Sequence, residues 1–264
     1  MKKIKFLAVV CCMAAVFTAC ENDTKSKIEE LENRIEGLEN GGNSDTGNDT
    51  DQNGGNSNTG SDNATGTANG HGYVDLGLPS GTKWATCNVG ATKPEEYGDY
   101  YAWGEIITKR IYNWSTYEWC NGSKTTLTKY NTSSSYGTVD KKKVLELADD
   151  VARANWGGKW RMPTDAEWTE LLDNCTWTLT RDYNGTGVAG RIVTSKINGG
   201  TIFLPAAGHR DDDDLYYAGS SGCYWSSSLD TGIPYYALYM DFSSFNVYTF
   251  FNYRYYGQSV RPVL

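Results

Sequence analysis

Few side chains in this sequence are spaced for chemistry. Gly185, Gly187 and Gly190 in "NGTGVAG" satisfy G-x-G-x-x-G. A dinucleotide loop needs a strand before it and a helix after it, so that the helix N-terminus faces a pyrophosphate. Here "RIVTSKI" follows, β-branched and strand-like, so the glycines are expected in a loop between two strands. Asp211 to Asp214 are consecutive, whereas a calcium loop alternates its ligands with spacers and turns at a glycine; a solvated loop is expected there. The two histidines, His71 and His209, lie far apart, and the serine of "GLPSG" is misplaced for a nucleophile elbow. His209 reads as a loop residue. No catalytic residue, metal site or cofactor is assigned, and the chain is not expected to be an enzyme.

A different chemistry is concentrated near the C-terminus. In residues 235–256, "YYALYMDFSSFNVYTFFNYRYY", 11 of 22 positions are Tyr or Phe, interleaved with Ser, Asn and Thr, and Asp241 and Arg254 are the only charges. A core would be built from Leu, Ile and Val. Tyr offers a large amphipathic contact area with few torsions to freeze, while Ser and Asn supply adaptable hydrogen bonds, as in a paratope. The tract is read as a binding face for a macromolecule. With a net charge of −8 and no basic stripe to neutralise phosphates, nucleic acid is excluded as the partner.

Displaying such a face requires a scaffold and a mount. Lys2, Lys3 and Lys5 precede an apolar run from Phe6 to Phe17 that is too short to span a bilayer, an export-signal arrangement. The run ends in "FTAC", which resembles the lipobox of bacterial lipoproteins, with Phe17 in place of the preferred Leu. The resemblance implies a signal peptide over 1–19 and lipidation of Cys20; cleavage near Ala19 without a lipid is the alternative. Removing three lysines from a chain of charge −8 leaves −11. The acidic "ENDT" after Cys20 resembles the surface-export signals of Bacteroidetes lipoproteins and implies an outer-membrane lipoprotein at the cell surface. Within 20–40, Ile28, Leu31, Ile35 and Leu38 are spaced three, four and three, a short coiled-coil seam. It would form a weak homo-oligomer through residues 28–38 or remain a solvated monomeric helix. Residues 41–70 hold no apolar side chain larger than Ala and are expected to be a disordered linker.

Residues 71–264 form the domain and hold all nine tryptophans. Two helices are expected. In "VDKKKVLELADDVARANWGG", Val144, Leu147, Ala148 and Val151 share a face, with Asp140 as N-cap and Gly157 as stop. In "PTDAEWTELLDNC", Thr164 and Glu167 form a capping box, Trp168, Leu171, Leu172 and Cys175 form the buried stripe, and Pro163 takes the staple position. The rest reads as short strands and turns, including a reversal at Pro79-Ser80-Gly81. The fold class is α+β with several short antiparallel strands. Cys87, Cys120, Cys175 and Cys223 lack metal-site spacing; they form two disulfides in any of three connectivities or stay as buried thiols.

"GYVDLGLPSGTKWATCNVGA", "YGDYYAWGE", "GGKWRMPTDAEWTELL", "IFLPAAGHR", "YYAGSSGCYWSSS" and "YGQSVRPVL" together resemble the family named after the Fibrobacter succinogenes major paralogous domain. The resemblance implies a C-type-lectin-like fold. "WRMPTDAEWTELL" and "SVRP" also resemble the formylglycine-generating enzyme family, but its paired active-site cysteines and its "GNVWEW"-like segment have no counterpart, and the "EPN" and "WND" calcium motifs of true C-type lectins are absent. The fold implies that 235–256 lies on the exposed binding face. Leu238, Met240 and Phe242 are expected to point inward, Tyr239 and Asp241 outward, and Val260 into the core, with 245–256 as a loop-rich surface. The expected contact residues are Tyr235, Tyr236, Tyr239, Tyr248, Phe250, Phe251, Tyr253 and Tyr255. Tyr, Phe, Ser, Asp and Asn are all reached from Asn codons by adenine changes, so the tract resembles the variable regions of diversity-generating retroelement targets. An enzyme on the formylglycine-generating scaffold and a structural or fimbria-associated component are the alternative functions.

Overall fold

In the computed structural model, residues 64–264 are described. The expected signal peptide, Cys20, the coiled-coil seam and the linker up to residue 63 lie outside the described residues. Within the stretch read as linker, Gly66–Ala68 forms a strand, β1. It pairs antiparallel with β2 (His71–Asp75), which pairs with β3 (Lys83–Ala85). The two hairpin residues, Asn69 and Gly70, have φ of 47° and 83°. An Asn-Gly pair suits two adjacent left-handed positions, and this local signal outweighs the weak side chains around it. Trp160 Nε1 then donates to Ala68 O at 2.9 Å, and His71 stacks on Trp156, tying the hairpin to the core.

The chain from 86 to 149 runs mostly in turns and isolated bridges, with one 3₁₀ turn at Ser134–Tyr136. The first expected helix is largely absent: α1 covers only Val151–Trp156, capped by Asp150. Asp140 instead accepts from the backbone of Tyr130, Asn131 and Lys142, closing a loop. Val144 bridges Ser228 in extended pairing and, like Leu147, is exposed. The helical spacing of 144–151 loses to backbone hydrogen bonds that the neighbouring strand offers, with Leu145 N donating to Ser227 O at 3.0 Å and Leu229 N to Lys143 O at 2.8 Å.

The second helix forms as expected. In α2 (Asp165–Asn174) the Thr164–Glu167 capping box is complete, and Trp168, Leu171 and the following Cys175 are buried while Leu172 is half-buried. Arg161 grips the Glu167 carboxylate at 2.7 and 2.6 Å, and Thr82 Oγ1 donates to it at 2.9 Å. The Pro79-Ser80-Gly81 reversal docks on this helix through Ser80 N to Glu170 Oε1, 2.8 Å. Burial alone would raise the Glu167 carboxyl, but Arg161 and the Thr164 backbone outweigh it and hold it at about 2. A carboxylate depressed in the folded state stabilises it above the unfolded value of 4.5, and that contribution disappears as the pH falls to about 2. The melting temperature of the protein should therefore fall between pH 4.5 and 2, and Glu167→Gln should melt lower at pH 7 with a flatter profile through that window.

The remaining strands are antiparallel. β4 (Cys175–Thr180), β5 (Gly190–Ser195) and β6 (Thr201–Pro205) form one sheet, and β7 (His209–Asp211) and β8 (Asp214–Tyr216) a hairpin. β9 (Gly222–Leu229), β10 (Tyr236–Phe242) and β11 (Val247–Tyr253) form a third sheet with β10 in the centre. The described residues thus form an antiparallel, β-rich fold with two short α-helices. The segment 257–263 threads between these parts: Gly257 pairs with Arg210, Gln258 with Tyr101, Ser259 with Tyr224, and Val263 with Trp84 and Arg161. Val260 is in the core, as expected, and the neighbouring Arg261 is fully buried too. Cys87, Cys120, Cys175 and Cys223 are buried thiols. No helix among the described residues is long and apolar enough to cross a membrane.

Candidate ligand-binding face

Gly185 and Gly187 lie in the β4–β5 connection, and Gly190 opens β5, so strands flank the glycines on both sides as their sequence predicts. The aspartate run is the β7–β8 turn: Asp212 takes φ 49° and its carboxylate accepts from Asn113 Nδ2 at 2.7 Å. His209 opens β7 instead of lying in a loop, with its Nδ1 3.9 Å from the buried Cys223 sulfur. Burial pushes that thiol well up and the histidine down, leaving both neutral and the pair without thiolate character.

The aromatic tract folds as a hairpin. β10 and β11 pair from Tyr236↔Tyr253 to Phe242↔Val247, and the turn raises Phe245 to 89% exposure. The expected loop-rich surface over 245–256 is therefore a regular strand for most of its length. Val, Thr, Tyr and Phe favour a half-buried pleated surface, and all seven residues of β11 are half-buried, which is why the sequence shows no alternation. The inward and outward assignment of β10 also needs correcting. Tyr239 is buried and Leu238 half-buried, because a central strand has packing on both faces. Ala237 and Tyr239 join the cluster around Trp103, Trp160 and Trp225, whereas Met240 and Phe242 join Trp84, Trp168 and Tyr224. β9 bulges opposite Leu238, with Ser226 Oγ donating to Leu238 O at 2.7 Å.

Of the eight expected contact residues, Tyr235 and Tyr239 are buried instead of exposed. Tyr235 lies under Trp114 and Tyr136, with Lys124 Nζ 4.9 Å from its ring centre. Tyr236, Tyr248, Phe250, Phe251, Tyr253 and Tyr255 are half-buried. They are consecutive members of one ribbon, with neighbouring ring centroids 4.3 to 6.3 Å apart. It runs from Tyr248 through Phe250, Phe251, Tyr236, Tyr253, Tyr255 and Tyr256 to His209, Tyr216 and Tyr217. Sequence reasoning missed Trp114, Tyr216, Tyr217 and Tyr256. The paired tyrosines "YY" at 216–217 were the available signal, but only the β7–β8 hairpin brings them beside the tract. Tyr217 is 64% exposed.

Rigidity comes from beneath. Arg254, one of the two charges in the tract, is fully buried: its Nε donates to Tyr117 Oη at 2.8 Å, and its Nη atoms donate to the carbonyls of Pro234, Tyr130 and Lys129 at 2.9 to 3.1 Å. Its guanidinium lies 4.9 Å from the Trp103 ring centre. A planar fork suits this arrangement of carbonyls and π faces, and it fixes the end of β11 to earlier loops. Burial pushes the hydroxyls of Tyr248 and Tyr256 up to about 12, so both stay protonated donors at neutral pH.

No curated protein and no solved structure matches the chain. Residues 177–263, which run from within β4 through the whole aromatic hairpin to the buried C-terminal segment, match the model of a family described as a domain of unknown function (DUF8237).

Proposed function

We propose that this protein is a lipid-anchored envelope protein, held through Cys20 at the outer-membrane surface, whose aromatic ribbon binds a macromolecular ligand, protein or glycan. The observation that carries the reading is the ribbon itself. Half-exposed rings in continuous contact, mounted on a buried arginine and two aromatic cores, offer a rigid amphipathic surface that loses little freedom on binding. The domain is read as C-type-lectin-like. The meeting of its ends supports this, with Leu264 N donating to Lys83 O at 3.0 Å and Val263 paired with Trp84. Tyr, Phe, Ser, Asp and Asn populate the hairpin and its turn, in keeping with a face diversified by adenine changes; a near-copy of these codons beside a reverse transcriptase gene would be its signature.

The test is binding of the full chain to glycan and envelope-protein arrays, with a Tyr248→Ala/Phe250→Ala variant alongside. A variant that keeps the signals of the unsubstituted protein refutes the reading. The anchor has its own test. Radiolabelled palmitate should label the protein in cells and fail to label Cys20→Ser, and protease added to intact cells should remove the labelled domain.

A further inference from the structure

One side of the β10–β11 hairpin carries a carboxylate among rings. Asp241 lies directly across from Tyr248, and Tyr239 directly across from Phe250. Tyr239 Oη donates to Asp241 Oδ2 at 2.7 Å. Among the described residues no Lys or Arg makes an ion pair with Asp241, and Tyr239 is the only side chain that hydrogen-bonds its carboxylate. Tyr248 and Phe250 pack edge to face beside it, centroids 6.0 Å apart and planes at 88°.

Elsewhere in the domain several rings do carry a cation. Lys124 covers Tyr235, Lys129 covers Trp119, Arg210 covers Tyr100 and Arg254 covers Trp103, each within 5.2 Å of the ring centre. None of the described cations covers Tyr239, Tyr248 or Phe250. A half-desolvated carboxylate without a counter-charge is costly, and ring faces beside it add to the negative potential. Both penalties reverse when a cation enters, and partial burial strengthens its attraction. The net charge of −8 favours its approach.

We propose that Asp241, Tyr248 and Phe250 form a receptor for an alkylammonium or guanidinium group, so that the ligand of the aromatic face is cationic where it meets the hairpin. This rests on reading the hairpin as a binding face and narrows its ligand to a basic one. Tyr239 is the positioning residue, its hydroxyl holding one carboxylate oxygen so that the other is presented to the ligand. Burial raises the Asp241 carboxyl, as expected of an acid that lacks its counter-charge.

The experiment measures binding of fluorescent hexaarginine, hexalysine and hexaglutamine peptides to the full chain at physiological salt, with spermidine as competitor. Asp241→Asn keeps an acceptor for Tyr239 and removes only the charge; Asp173→Asn, in the last turn of α2, removes the same charge elsewhere. The expected result is about a tenfold weaker affinity for the cationic peptides in Asp241→Asn, less than twofold in Asp173→Asn, and weak hexaglutamine binding throughout. Tyr248→Leu should weaken the cationic peptides as well, with the melting temperature of each variant reporting its fold. Spermidine competition that depends on Asp241 identifies a free polyamine as a sufficient source of the cation, and its absence identifies a polypeptide. Equal effects of Asp241→Asn and Asp173→Asn overturn the proposal. If the Tyr248→Ala/Phe250→Ala variant loses its array ligands while cationic peptides ignore Asp241, the binding face stands and the cation assignment falls. If that variant keeps its array ligands while Asp241→Asn still weakens the peptides, the cation site stands and the wider binding-face reading falls.

Discussion

Arg261→Met should melt far below the unsubstituted protein. Arg261 is fully buried and donates to Asn88 Oδ1 at 2.9 Å and to the carbonyls of Ala85, Thr86 and Phe203 at 2.8 to 3.0 Å. These acceptors belong to the chain around β3 and to β6, so one side chain joins two sheets to the C-terminal segment. Methionine fills the volume but donates nothing. A buried acceptor without its donor costs roughly 1–3 kcal/mol, so losing four such bonds removes on the order of 4 kcal/mol or more. That is a large part of the roughly 5–15 kcal/mol by which a domain is stable. At about 2–4 °C per kcal/mol for a chain of this size, the circular-dichroism melt should drop by about 10 °C or more. Arg261→Lys keeps the charge but not the planar fork, so it should recover only part of the loss. A melt for Arg261→Met within 2–3 °C of the unsubstituted protein would mean that this arginine does not hold the sheets together.

The second large effect is on binding. Tyr248 and Phe250 occupy the end of the ribbon nearest the hairpin turn, and both residues are half-buried. Aromatic anchors in an interface commonly contribute on the order of 1–2 kcal/mol or more each, so truncating both should weaken an array ligand roughly 100-fold. Each ring gives up only part of its burial on truncation, and the expected fall in melting temperature is a few degrees. Tyr253→Ala is a poorer probe. Its ring is wedged among Trp114, Tyr235, Tyr236, Tyr255 and Tyr256, so its loss would combine binding with packing. A double variant that melts normally and keeps its affinity would place the ligand elsewhere on the molecule.

The amino-acid sequence determined by itself those features whose causes are local. The Thr164–Glu167 capping box, the Pro79-Ser80-Gly81 reversal and the strand after the glycine loop depend on residues within a few positions of one another, and all three form as expected. The Asn69-Gly70 turn was equally legible and was obscured only by the polar composition around it. The aromatic density of 235–256 likewise marked the tract. Tertiary structure alone decided which rings are buried and which stay half-exposed. Whether Tyr239 is buried depends on β10 being central, and that depends on β9 and β11 pairing to its two edges. The extended path of 143–145 was set by the hydrogen-bonding groups of β9, more than 80 residues away, against its own helical spacing. The ribbon joins Tyr216 and Tyr217 to β11 because two hairpins meet at His209 and Tyr256. Side-chain type reports how much surface a residue can bury; which partner arrives to cover it depends on backbone pairing between distant segments, and no window of sequence contains that information.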